Sequence, residues 1–335
     1  VSKMNIAAAL NAAHHQVMDA EPRIVVIGED IVGGAGLDGK ELGGIFGVTA
    51  GLAKRFGKSR VIDTPISETA FVGMGIGAAM TGLVPIVEVM FCDFMGVCFD
   101  QIMNQAAKTR FLSNDHIDMP LVIRTSMGAG DGSGAMHSQS LHGMLAGVPG
   151  LEVICPSTPA DAAGLLKSAL KSPHPVVMLE HKGLYGETAE VDEALPAVPI
   201  GKGRLVRQGG DITIVAIAQM LARAEKAAGQ LAARGVEVEL IDPRTIHPFD
   251  TALLLESLAK TQRLLVVDEG PEFAGFADKV IAAASTEGFG LMRAAPQKLT
   301  PPHEPAPYGR LLEAAWLPSV EAIVTKVDEI LYEEE

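Results

Sequence analysis

Short apolar runs alternate along the chain with longer stretches of helical period. Arg23–Gly28 (RIVVIG), Val61–Ile62, Ile86–Met90, Leu121–Thr125, Glu152–Cys155 and Val176–Glu180 read as strands buried on both faces. Helical patterns fall between them, notably at Ala160–Leu170, and VSKMNIAAALNAAHHQVM (1–18) reads as an amphipathic helix. The alternation predicts a doubly wound parallel α/β sheet over residues 1–186. Composition then shifts: ETAEVDEALPAVPIGKG (187–203), with Pro196 and Pro199, reads as a linker. A second, smaller α/β domain is expected over 204–335. Its strands are predicted at Asp211–Ala218, Val236–Ile241 and Arg263–Asp268, with helices at Leu221–Ala233 and Thr251–Lys260. There is no internal repeat, and the acidic tail Glu333–Glu335 reads as a solvated terminus.

One segment departs from plain patterning. Asp63, Thr64 and Pro65 break a strand, Ser67 stands as a candidate N-cap, and Glu68 opens a helix. Gly73, Gly75, Gly77 and Gly82 keep that helix thin enough for close backbone approach. An apolar strand, Leu83–Met90, and an aromatic turn, Phe91–Phe94, follow, then a helix expected to end in Asp100, Gln101, Asn104 and Gln105. On composition alone Glu68 is a dipole-stabilised surface cap, and Phe94 an ordinary core residue. His137 lies in HSQS after a glycine-rich loop, as a surface residue or one that reaches a cleft.

Composition narrows the chemistry. At 335 residues and 48% hydrophobic, the chain holds enough apolar mass for two cores, and no run is long enough to span a membrane. The amino terminus shows no cleavage site or charged leader, so no signal peptide is expected. A net charge of −14 argues against nucleic acid or an anionic membrane as partner and suits a basic protein. Cys92, Cys98 and Cys155 are not closely paired, which implies a reducing, cytoplasmic setting without a disulfide framework. Their apolar contexts suit buried thiols rather than a nucleophile. No histidine pair has metal-ligand spacing; His137 and His142 are five apart. Gly34–Gly39 fits G-x-G-x-x-G but lies too far past its strand for a dinucleotide site, and Gly73–Gly77 lies inside a helix.

The segments DTPISE, GLVPIVEVMF and DQIMNQAAK resemble the beta subunit of the thiamine-diphosphate-dependent first component of 2-oxo acid dehydrogenase complexes. So do residues 136–166, 175–186, 242–250 and PYGRLLEAAWLPSVEAIV, so the resemblance spans essentially the whole chain. Gly33–Gly57 and Glu88–Lys108 are most similar to acetoin dehydrogenase beta subunits. The resemblance implies a pyrimidine-binding domain followed by a transketolase C-terminal-like domain. It places Glu68 as the carboxylate that shares a proton with the aminopyrimidine ring, and Phe94 as the aromatic stacked on that ring. It sets His137 near the substrate end of the cofactor.

Gly130-Asp131-Gly132 imitates the start of the diphosphate motif, but no asparagine follows Asn114 to complete it. The missing half, with magnesium, is therefore expected from an alpha subunit in an α2β2 heterotetramer. Some family members also hold potassium on main-chain carbonyls, which here correspond to Leu121, Ala169, Ser172 and His174. The expected activity is cleavage of acetoin to acetaldehyde, with the acetyl unit passing to lipoamide on an acyltransferase core. His137 or an alpha-subunit residue would be the base. The alternatives are a subunit acting on pyruvate or another 2-oxo acid, a silent scaffold subunit docked on the core, and a nicotinamide dehydrogenase.

Overall fold

The computed structural model describes residues 1–33 and 43–332. The chain separates into two compact units: Val1–Met127 with Leu145–Ile200, and Gly128–Met144 with Gly201–Glu335.

The first unit is built on parallel strands β1 (Ile24–Glu29), β2 (Val61–Thr64), β3 (Val84–Phe91), β4 (Val122–Met127), β5 (Glu152–Ile154) and β6 (Val176–His181). They lie side by side in the order β5-β6-β4-β3-β1-β2. From β1 the chain goes first to one side and then to the other, so the strand order reverses beside β1. In such sheets the carboxyl ends of the strands at that point are the ordinary ligand crevice.

The predicted first helix starts late. Ser2–Asn5 forms a strand, antiparallel to Thr188–Val191 within the stretch read as a linker. Helix α1 (Ile6–Ala20) follows because the Asn5 side chain accepts from the Ala8 N–H at 2.8 Å and caps it.

Helix α2 (Glu68–Met80) starts where expected, at Ser67, but the Ser67 hydroxyl does not cap it. It donates instead to the Pro65 carbonyl at 3.0 Å. The glycines of α2 are not equivalent. A Cβ on Gly75 would stand 2.4 Å from Val87 Cγ2 of β3, whereas one on Gly77 would meet nothing within 4 Å. Only Gly75 therefore answers to close packing on the sheet. The polar run Gln101, Asn104 and Gln105 begins a helix rather than ending one: a π-helical turn, Gln101–Ala106, continues as the α-helix Ala107–Leu112. Helix α3 (Pro159–Ala169) is capped by Thr158, which accepts from the Asp161 N–H at 3.1 Å.

The second unit carries β7 (Arg204–Arg207), β8 (Ile212–Ala216), β9 (Val238–Asp242), β10 (Leu264–Val267) and β11 (Gln297–Leu299), in the order β11-β10-β8-β9-β7. All pairs are parallel except β7 with β9. Helices α4 (Ala218–Ala232) and α5 (Val320–Tyr332) cover one face; Leu221, Leu231, Ile323 and Val327 join Ile214, Leu240 and Leu265 in its core. Among the described residues no helix is long and apolar enough to cross a membrane.

Candidate active site

Acidic side chains gather at the carboxyl ends of β1 and β2. Burial first, then Asp30, Glu68 and Asp63, raise the Glu29 carboxyl above the usual carboxylate range. Glu68 opens α2 as the acidic residue of its first turn, at 8% exposure. Thr64 Oγ1, at the end of β2, is buried and has no hydrogen-bond partner among the described residues.

The turn after β3 is tied to this point. Thr69 Oγ1 donates to the Val97 carbonyl at 2.8 Å. Burial, and next the charge of Glu68, push the Cys98 thiol up to about 12. Phe94 sits in the 3-10 turn Cys92–Gly96, half-buried, with its ring edge-on to Phe91 at 5.5 Å between centroids. The first unit thus brings Glu68 and the turn carrying Phe94 together.

His137 belongs to the second unit, half-buried, with its N–H donating to the Gly134 carbonyl at 3.1 Å. The glycine loop before it is not an open phosphate cradle. Gly130 and Gly132 N–H both donate to Glu313 Oε2, at 3.0 and 2.6 Å. The Gly34–Gly39 stretch lies outside the described residues. The three cysteines are buried and form no disulfide. Among the described residues no group of three or more His, Cys, Asp or Glu could hold a metal ion. Of the carbonyls considered for potassium, that of Leu121 accepts from Val176 N at 2.9 Å and that of Ala169 from Ser172 N at 3.1 Å. Ser172 Oγ accepts from His174 N at 3.1 Å and donates to Glu152 at 2.8 Å.

Sequence reasoning missed a buried ion cluster in the same sheet. Arg124 donates to both oxygens of Glu180 at 2.7 Å and to Glu88 at 2.8 Å, and the Tyr185 hydroxyl donates to Glu180 at 2.7 Å. Burial raises the Glu88 carboxyl in spite of Arg124. The signal was there: one charge inside each of three apolar strands (PIVEVMF, LVIRTSM, VVMLEH), and buried charges require partners.

Two families of known domains match the chain: the transketolase pyrimidine-binding domain over residues 2–188 and the transketolase C-terminal domain over 201–323. The acetoin:2,6-dichlorophenolindophenol oxidoreductase subunit beta of Cupriavidus necator is 46% identical, over 96% of this chain and 95% of its own length. That of Bacillus subtilis is 41% identical, over 97% and 96%. The chain belongs to this family of beta subunits. The family also takes in the pyruvate dehydrogenase E1 component subunit beta-1 of Arabidopsis thaliana, 40% identical over 96% of this chain and 88% of its own length. Among solved structures, a split-gene transketolase described as an inactive beta4 tetramer aligns with TM-score 0.79, covering 98% of both chains at 22% identity, which attests the shared fold. Both predicted domain types, the parallel pyrimidine-binding sheet and the smaller transketolase C-terminal-like unit, are therefore those of the family.

Proposed function

We propose that this chain is the beta subunit of a thiamine-diphosphate-dependent enzyme that cleaves acetoin to acetaldehyde and passes the acetyl unit to a lipoyl group. The observation that carries the reading is the 46% identity, along nearly the whole of both chains, to a subunit of an acetoin oxidoreductase. The recessed Glu68 at a helix start supports it. When bound, thiamine diphosphate would supply a nucleophilic carbon and an electron sink. Glu68 would hold a proton toward a ring nitrogen of the aminopyrimidine, and Phe94 would pack against that ring. His137 takes the carbinol proton of acetoin as acetaldehyde forms, a demand that a decarboxylated 2-oxo acid does not make. An alpha subunit in an α2β2 assembly completes the diphosphate and magnesium site, because here the glycine-loop amides are already taken by Glu313. The acidic chain, net −14, suits docking to a basic segment of an acyltransferase core. Potassium on the carbonyls of Leu121 and Ala169 is a further element of the reading, since each carbonyl oxygen has a second lone pair. Three buried cysteines outside any disulfide suit a reducing, cytoplasmic setting.

Pyruvate is the second substrate to weigh, on the 40% identity to the plant pyruvate dehydrogenase subunit. Dye reduction by the chain co-expressed with its alpha partner, with thiamine diphosphate and magnesium, separates the two. Faster turnover of acetoin than of pyruvate is expected. Faster turnover of pyruvate would transfer the subunit to the 2-oxo acid branch.

A further inference from the structure

Three buried carboxylates of the second unit close on one short stretch of chain, residues 129–142. Asp268 accepts from His142 Nε2 at 2.9 Å, and both side chains are fully buried. Glu269 accepts from the Ala129 N–H and from Ser140 Oγ. Glu313, 0% exposed in the first turn of the helix Arg310–Trp316, takes the middle of the stretch. Its Oε2 receives the N–H groups of Gly130 and Gly132, and its Oε1 receives the Ser138 hydroxyl at 3.3 Å. Both glycines have positive φ, +120° and +85°, which turns two amides toward a single oxygen. A wholly buried carboxylate is costly unless it is hydrogen-bonded, and here three donors from one loop reach its two oxygens. His137 lies between the clamped Gly132 and the clamped Ser138, so these bonds bear directly on where the histidine stands.

We propose that Glu313 is a positioning residue for His137, fixing the loop that carries the histidine without touching substrate itself. The proposal rests on His137 serving the carbinol proton, as read above. A displacement of about 1 Å in such a group costs up to about 100-fold in rate. The chemistry of the clamp also predicts which substitution is tolerated. Glutamine keeps one carbonyl oxygen for the two glycine amides, and its NH2 can donate to the Ser138 oxygen. Alanine keeps nothing.

The test uses the co-expressed complex with its alpha partner, carrying Glu313→Gln, Glu313→Ala, Glu313→Asp or His137→Ala. Two quantities are read: hydrogen exchange of the Gly130 and Gly132 amides, and kcat with KM for acetoin. Glu313→Ala is expected to speed exchange at both amides by about tenfold or more, and to lower kcat by about 10–100-fold with KM little changed. Glu313→Gln is expected to stay near the parent on both counts. Glu313→Asp, with its charge drawn back by one methylene, is expected to fall between them, and it serves if the alanine variant does not fold. Parent-like exchange in Glu313→Ala, or in Glu313→Asp if only that folds, would overturn the clamp. So would a Glu313→Gln complex as impaired as the alanine one. An unaffected His137→Ala complex would refute the role read for the histidine and with it the positioning proposal, while the exchange data would still show whether Glu313 holds the loop.

Discussion

Buried ionisable side chains set what single residues do in this chain. Glu68 and Glu313 are both carboxylates taken largely out of water; Glu313 is held by two loop amides and the Ser138 hydroxyl. His14 shows how burial translates into stability. It is fully enclosed in α1 with Nδ1 donating to the Leu10 carbonyl at 2.7 Å, and burial, then Arg124, lower its pKa from 6.5 to about 3. The folded protein therefore keeps His14 neutral while the unfolded chain takes up a proton below pH 6.5. Stability present above pH 6.5 is lost as the pH falls toward 3, by about 1.4 kcal/mol per pH unit from this group. Replacing His14 with asparagine, whose Nδ2 can meet the same carbonyl, should remove that slope. Denaturant unfolding of parent and variant at pH 7 and pH 5 checks it, and equal slopes would show that His14 does not titrate as its burial demands. Glu68 was legible as a residue from its place after a strand break, but composition alone reads a helix-start acid as a surface cap, and its 8% exposure departs from that reading without assigning a role.

Elements follow the sequence closely where both faces of a strand are apolar, and poorly where they are not. β3, β4 and β6 lie within a few residues of their predicted positions because unbroken apolar runs have little choice. β7 and β11 were not predicted; both are edge strands of partly buried residues, so no periodicity marks them. Helix α2 tests the packing account directly. Gly75→Ala should destabilise the fold by about 1–3 kcal/mol, because its methyl drives into Val87 against the sheet. Gly77→Ala should stabilise it by up to about 1 kcal/mol, since the position is open and alanine lowers the cost of ordering the helix. Thermal unfolding of the pair should move the midpoint in opposite directions; a shift of the same sign would remove the distinction drawn between the two glycines. The sheet offers a second test. Arg124→Met strands Glu180 and Glu88 without their cation, which should cost about 3–5 kcal/mol. Tolerance of that change would mean that the cluster does not bear on stability.

For the whole molecule, alternation of strand and helix led to a two-part α/β chain, and the family domains match residues 2–188 and 201–323. What the pattern of apolar residues could not convey was which unit the His137 loop joins. Residues 128–144 group with the second unit, held there by Asp268, Glu269 and Glu313, which lie more than 120 positions later in the chain. Only folding brings such distant charges together. Of the two proton-handling roles proposed for this subunit, the central one is a carboxyl proton held at Glu68 for the cofactor ring. Dye reduction with acetoin by the co-expressed α/β complex, comparing the parent with Glu68→Gln, addresses that role most directly. Glutamine can hydrogen-bond to the ring but cannot relay a proton, so the account predicts a loss of about 100-fold or more in kcat in a complex that still assembles. Full activity of the Glu68→Gln complex would contradict it and would leave this chain as a scaffold for its partner.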